Sequence, residues 1–112
     1  MKILKNFAQN MVLIKPTARQ DLEDIRVGLL YWEKIELSKS FILSYMDDII
    51  DECYSLDKKP VHFNAQYETH KQYGEKVHTY KRNTNTIWYI IYNKTDENIY
   101  IEKIISNYMT VS

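Results

Sequence analysis

The sequence is poor in the residues that usually staple or punctuate a small protein. It contains one cysteine, Cys53, so no disulfide can close within the chain, and a reducing compartment suits it. Glycine and proline number two each, where together they make up about 12% of average proteins. The turns must therefore rely on Asn, Asp, Lys and Thr. No apolar run approaches the ~18 residues of a membrane span, and the opening MKILKNFAQN lacks the continuous apolar stretch of a secretory signal. Cytoplasm is the expected location, and no membrane partner is expected. A glycine-rich phosphate loop, zinc-ligand spacing and a serine elbow are also missing, so neither cofactor nor metal is expected. Lys and Arg balance Asp and Glu at 15 each.

What is present describes one globular domain. Of the 112 residues, 45% are hydrophobic and 27% charged, and a chain of this length buries enough surface to hold a core without staples. Tyrosine occurs ten times. Its apolar ring and polar tip suit sheet faces and contact surfaces.

Residues 11 to 15, MVLIK, read as a short strand ended by Pro16. Thr17 with Gln20 matches a capping box, and Ala18, Leu22, Ile25, Leu29 and Trp32 then fall on one face of a helix from Ala18 to Glu33. Gly28 inside it is expected to mark close approach of a neighbouring element. A second helix starts near Ser38 or Ser40. Its apolar face is Ile42, Tyr45, Met46, Ile49, Cys53 and Leu56, and Lys58, Lys59 and Pro60 close it. The short connection predicts an antiparallel helical hairpin. Residues 61 to 76 show no period and read as a loop turning at Gly74. Three strands follow, Val77 to Arg82, Thr86 to Asn93 and Asn98 to Ile105, joined by hairpin turns. TIWYIIYN, apolar on both faces, reads as the central strand, and Ile99, Ile101 and Ile105 share one side of the last. The fold class is α+β, in the order β-α-α-β-β-β, with an antiparallel-rich sheet and the hairpin on one face. Residues 1–10 form an N-terminal extension, 11–108 the domain and 109–112 a tail.

Charge is segregated. Between Glu33 and Asp57 seven acids face two bases, whereas between Thr69 and Thr95 five bases face only Glu75. The second helix is an acidic pole and the sheet a basic one, a dipole that would steer partners. His62, His70 and His78 recur every eight residues, which fits neither one helix face nor metal-ligand spacing. A solvated or strand-surface place is expected of each. His78 shares a strand face with Tyr80 and Arg82 by period two. Cys53, on an apolar face of an acidic helix, reads as core.

MVLIKP, TARQDLEDI, a second amphipathic helix ending in KKP, and strands carrying YGEKVHTYKR, TIWYIIY and NIYIEKII together resemble the RelE/ParE superfamily of small bacterial toxins, over about residues 11 to 108. The resemblance implies a toxin of a type II toxin-antitoxin module, of the plasmid-stabilisation kind, neutralised by an acidic antitoxin. Its target would be DNA gyrase for the ParE-like branch, or mRNA on the ribosome, cut without a metal, for the RelE-like branch. Metal-free RNA cleavage needs a proton acceptor, cations for the phosphate and a proton donor for the leaving oxygen. For this chain the resemblance implies His78, Tyr80, Lys81, Arg82 and Tyr108 as that catalytic set. Trp88, Tyr89 and Ile90 stand where RelE-like nucleases carry an arginine, and Ser106 and Asn107 replace a basic cluster, so gyrase-type inhibition is slightly favoured. An uncapped basic sheet displaying Tyr80, Lys81, Arg82, Tyr89 and Tyr92 is the surface expected to receive the antitoxin. Two further readings are a degenerate or orphan member acting as a non-toxic binding module, and an unrelated domain of the same class. Oligomeric state is not legible.

Overall fold

In the computed structural model the described residues are 11–31 and 38–108. The extension 1–10, the tail 109–112, Trp32 and the connection between the two long helices lie outside them. Strand β1 (Met11–Ile14) leads directly into helix α1 (Pro16–Leu30), and helix α2 spans Lys39–Tyr54. A single 3-10 turn at Leu56–Lys58 follows, then β2 (Phe63–Asn64), a one-turn helix α3 (Glu68–Lys71), and strands β3 (Lys76–Asn83), β4 (Thr86–Lys94) and β5 (Asn98–Ser106). The protein is α+β. Its five-stranded sheet has the order β1-β5-β4-β3-β2, so β4 is central as its apolar sequence predicts. Every pairing is antiparallel except that of β1 with β5, which is parallel.

Both long helices pack on one sheet face. Ala18, Ile25 and Leu29 of α1 join Ile42, Tyr45, Met46, Ile49 and Cys53 of α2, and these meet Trp88, Ile90, Tyr92, Ile99, Ile101 and Ile104 of the sheet in one buried cluster. The 3.6-residue period and the two-residue period thus converge on the same layer. Cys53 is fully buried, and burial pushes its thiol up to about 12, with the Glu52 carboxylate adding to the effect.

Several local expectations are corrected. The helix begins two residues earlier than predicted, on Pro16, with Lys15 as its N-cap and no side-chain cap. Proline suits the first helical position because its missing N–H has no partner there anyway. The Thr17–Gln20 capping box does not form: Thr17 Oγ1 donates to the Glu102 carbonyl at 2.8 Å, and Gln20 binds Asp24. Ser38 does cap α2, accepting from the Phe41 amide at 3.1 Å. On β5 the register with β4 shifts between Ile91 and Tyr92, where Glu102 bulges out. The extra residue reverses the strand's phase, so Ile104 points into the core while Ile105 pairs with Tyr89 on the other face. No heavy atom lies within 4 Å of a Cβ built on Gly28, which borders an apolar groove and marks no close approach.

The segment read as a loop contains β2 and α3, and it crosses the sheet face opposite the long helices. The Ala65 amide donates to the Glu75 carbonyl at 2.8 Å, closing the segment on itself. It explains why β4 is apolar on both sides: Ile91, facing away from the helices, is also fully buried. Gly74 turns the chain there as predicted, and it does so against the sheet, since a Cβ would stand 3.0 Å from the Tyr92 carbonyl oxygen and 3.1 Å from an Ile91 methyl. Gly74→Ala should therefore lower stability by about 1–3 kcal/mol, the usual range for overpacking, as read from a urea midpoint. Gly28→Ala, in open space on a helix, should raise stability by up to about 1 kcal/mol.

Candidate functional site

The five residues that the family resemblance implies do not converge on an open surface. His78, Tyr80 and Arg82 share one face of β3 as the spacing predicts, although the register with β4 shifts between Tyr80 and Asn83. That face looks toward α2. His78 Nε2 hydrogen-bonds Glu52 Oε2 at 2.7 Å, and Arg82 Nε donates to Asp48 Oδ2 at 2.7 Å. The guanidinium of Arg82 also lies over the rings of Tyr45 and Phe41, 4.4 and 5.3 Å from their centroids. Tyr80 is packed against the core. Burial pushes its phenol above the ordinary tyrosine range, and Asp48 and Glu52 add to the effect, so it is a poor proton acceptor. Lys81, within the stretch where the β3–β4 register shifts, is exposed. Tyr108, also exposed, stands at the apolar groove with Ile25, Gly28 and Trp88.

The acidic helix and the basic strand were read as separate poles. In the fold they meet, because α2 packs across β3 and its Asp48 and Glu52 stand opposite Arg82 and His78. Lys59 Nζ adds a weaker contact to Glu52 at 3.9 Å. One charge of each pole, Asp48 and Arg82, is thus paired inside the molecule. The expected antitoxin-binding display is corrected accordingly: Tyr92 is buried, Tyr80 and Arg82 face α2, Tyr89 lies on the outer face against His70, and Lys81 is exposed.

Beneath Arg82 runs a polar chain that ties α2 to the β3–β4 hairpin. The Trp88 indole donates to Tyr45 Oη at 2.9 Å, Tyr45 Oη donates to Asn83 Oδ1 at 3.0 Å, and Asn83 Nδ2 donates to Thr86 Oγ1 at 3.1 Å. Satisfied networks of this type fix one packing arrangement.

The outer face holds what the sequence did not reveal. Its α3 carries His70, expected to be solvated and in fact 1% exposed. The imidazole is wedged between two tyrosines, 4.6 Å from the Tyr89 ring and 5.2 Å from the Tyr67 ring, edge-on to the latter. Beside these rings opens a cavity of about 330 Å³ that is also lined by Phe63, Asn64, Gln66, Val77 and Thr79. The spacing of Tyr67 and His70, three residues apart within one helical turn, is the only sequence signal for it, and α3 is too short for periodicity to expose. His62 does not sit in solvent either: its Nδ1 bonds Tyr92 Oη at 2.6 Å.

Burial lowers the pKa of both His62 and His70 below the ordinary value of 6.5; for His62 the nearby Lys94 and Lys76 act in the same direction. The folded state therefore binds fewer protons than the unfolded state around that value. This stability is present above about pH 6.5 and is lost as pH falls through the folded pKa values. Melting temperature should drop on acidification through this window, and His70→Phe should shallow the drop, both measurable by circular dichroism from pH 7.5 to about 5.

Among the described residues no group of three or more His, Cys, Asp or Glu stands close enough to hold a metal ion, and no helix is long and apolar enough to cross a membrane. Comparison with protein-family models, with curated proteins and with solved structures gives no match.

Proposed function

We propose that the chain is a bacterial toxin of the RelE/ParE type that inhibits its macromolecular target by binding, and that an acidic antitoxin neutralises it. The observation that carries the choice of binding over RNA cleavage is the pairing of His78 with Glu52 and of Arg82 with Asp48. Cleavage of a phosphodiester needs its acid, base and cations free and convergent on the substrate, whereas here His78 and Arg82, two of the five residues that the resemblance implies, are bonded to α2. Gyrase-type inhibition in the cytoplasm is thus favoured over mRNA cleavage on the ribosome. The β-α-α-β-β-β order supports the family reading as a fold-level analogy.

The same internal pairing also favours a second reading, a non-toxic orphan binding module, because it leaves fewer cations for an acidic antitoxin. Induced expression in a bacterial host, with and without the neighbouring acidic reading frame, separates the two. Growth arrest with intact RNA and altered DNA supercoiling, relieved by coexpression, is the expected outcome. Harmless expression would favour the orphan module. RNA fragmentation abolished by His78→Ala or Tyr108→Phe would restore the nuclease.

A further inference from the structure

We propose that the apolar groove beside Gly28 binds a small aromatic amine, its ring seated over Gly28 and its ammonium on the Asp24 carboxylate. This goes beyond the reading above and does not rest on it, since it concerns a small ligand and not a macromolecular target.

The groove lies between α1 and the end of the sheet where β4 begins and β5 ends. Its volume is about 270 Å³, near the lower end of small-molecule sites, which start at about 300 Å³. Ile25 and Leu29 of α1, with Tyr45 and Trp88, line it as nearly buried side chains, and Tyr108, 68% exposed, lines it from the end of β5. The buried part is preformed, because the Trp88 indole donates to Tyr45 Oη and Tyr45 Oη to Asn83, and a preformed site loses less on binding. Gly28 supplies a second observation. Inside a helix glycine costs stability relative to alanine. Here no neighbour calls for it, since nothing lies within 4 Å of a Cβ built on it. Gly28 lines the groove, so its missing side chain leaves the α1 wall open at that level, and a larger residue would narrow the space.

Charge selects an amine among apolar ligands. Asp24 is the only charged side chain among the described residues that line the groove, and it makes no ion pair among them. Gln20 Nε2 donates to Asp24 Oδ1 at 2.9 Å, a bond from a neutral group that leaves the charge uncompensated. Lys103 is close enough to feel Asp24, but its ammonium is bound to Asp21 at 2.8 Å. Asp24 and Gly28 stand four residues apart on α1, so about 6 Å along the helix axis separates the carboxylate-bearing position from the bare one. An aromatic ring and an ammonium joined by a two-carbon chain span a similar length. Tyr45, Trp88 and Tyr108 suit the ring by edge and face contact, and the ammonium gains a charge-assisted hydrogen bond. A carboxylic acid of the same shape would meet Asp24 as a like charge. The occupant is a free arylethylamine.

Titration of the ¹⁵N-labelled protein with tryptamine, indole and indole-3-acetate tests this. Tryptamine should shift the Gly28 and Tyr108 amides and the Trp88 indole N–H saturably. Indole should act on the same signals about tenfold more weakly, and indole-3-acetate more weakly still. Asp24→Asn should remove the advantage of tryptamine over indole. Gly28→Leu should abolish the shifts while raising the melting temperature, because leucine fills the groove and suits a helix better than glycine; binding is then lost without loss of the fold. Absence of saturable shifts at about 10 mM tryptamine, indole-3-acetate bound as tightly as tryptamine, or a tryptamine affinity that either substitution leaves unchanged would overturn the proposal. A lower melting temperature in Gly28→Leu would also overturn it, by showing that the protein's own chain fills the groove. So would a concentration-dependent mass in sedimentation that Gly28→Leu abolishes, which assigns the groove to a second copy.

Discussion

Ile49→Asp should leave the chain unfolded at neutral pH. Ile49 is 0% exposed in the helix layer, in the cluster that includes Met46, Cys53, Ile90 of β4 and Ile99, Ile101 and Ile104 of β5. A carboxylate there would be taken out of water into a cluster of mostly apolar side chains. It either stays charged in an apolar medium or takes up a proton at several kcal/mol. The lost isoleucine contacts and the cavity add about 2–5 kcal/mol. A domain of this size has about 5–15 kcal/mol of stability in total, so the sum consumes most or all of it. Ile49→Val, which removes a single methyl, should cost only about 0.5–1.5 kcal/mol. Near-ultraviolet circular dichroism and urea titration of the pair check both values; an Asp variant that melts like the parent would remove Ile49 from the core.

The core was legible because periodicity is a local property. Ile42, Tyr45, Met46, Ile49 and Cys53 announce one helix face by their spacing, and TIWYIIYN announces a strand covered on both sides. The same information stops at the question of which sheet face the helices cover. His78, Tyr80 and Arg82 were rightly placed together, yet nothing in β3 alone says that their side faces α2 and not solvent. That depends on the parallel closure of β1 on β5 and the direction in which α1 leaves β1, both of them long-range. The β5 phase was misread for a related reason: the Glu102 bulge is one extra residue and leaves no mark on composition, but it exchanges Ile104 for Ile105 in the core.

The candidate site was less legible than the fold. Charge counts along the sequence find an acidic helix and a basic strand, and they cannot tell whether the two attract an outside partner or each other. Here 34 residues separate Arg82 from Asp48, and 26 separate His78 from Glu52. Segment 61–76 failed differently. Its elements are two and four residues long, shorter than the windows in which a period can be recognised. Its order comes from Gly74 seated on Ile91 and Tyr92 and from His70 wedged under Tyr67, contacts that only the completed sheet supplies.

Asp21 shows the same limit at a buried ion pair. From sequence it is one of three acids favoured by the dipole near the start of α1. In the fold it is buried, and it closes the edge of β5. β1 ends at Ile14, and the Lys15 amide makes the last backbone bond of that edge, to the Ile101 carbonyl at 2.9 Å. Beyond it the Ile104 amide has no strand to pair with. It donates instead to Asp21 Oδ2 at 2.9 Å, while Lys103 Nζ donates to Asp21 Oδ1 at 2.8 Å. Asp21→Ala strands both donors, and the expected loss is about 3–5 kcal/mol, the range for breaking a buried pair from one side. Asp21→Asn keeps an acceptor for the Ile104 amide and should lose less, about 1–3 kcal/mol. The hydrogen bond that Lys103 donates to Asp21 holds the ammonium above its ordinary 10.5. For a base with a raised folded pKa, the stabilisation is complete below the unfolded value and disappears as pH rises through the folded one. The parent should therefore lose stability above about pH 10.5 more steeply than Asp21→Asn does. Urea midpoints for the three proteins at pH 7 and in the alkaline range test the order, and amide exchange at Ile104 tests the cause: its protection should collapse in Asp21→Ala first.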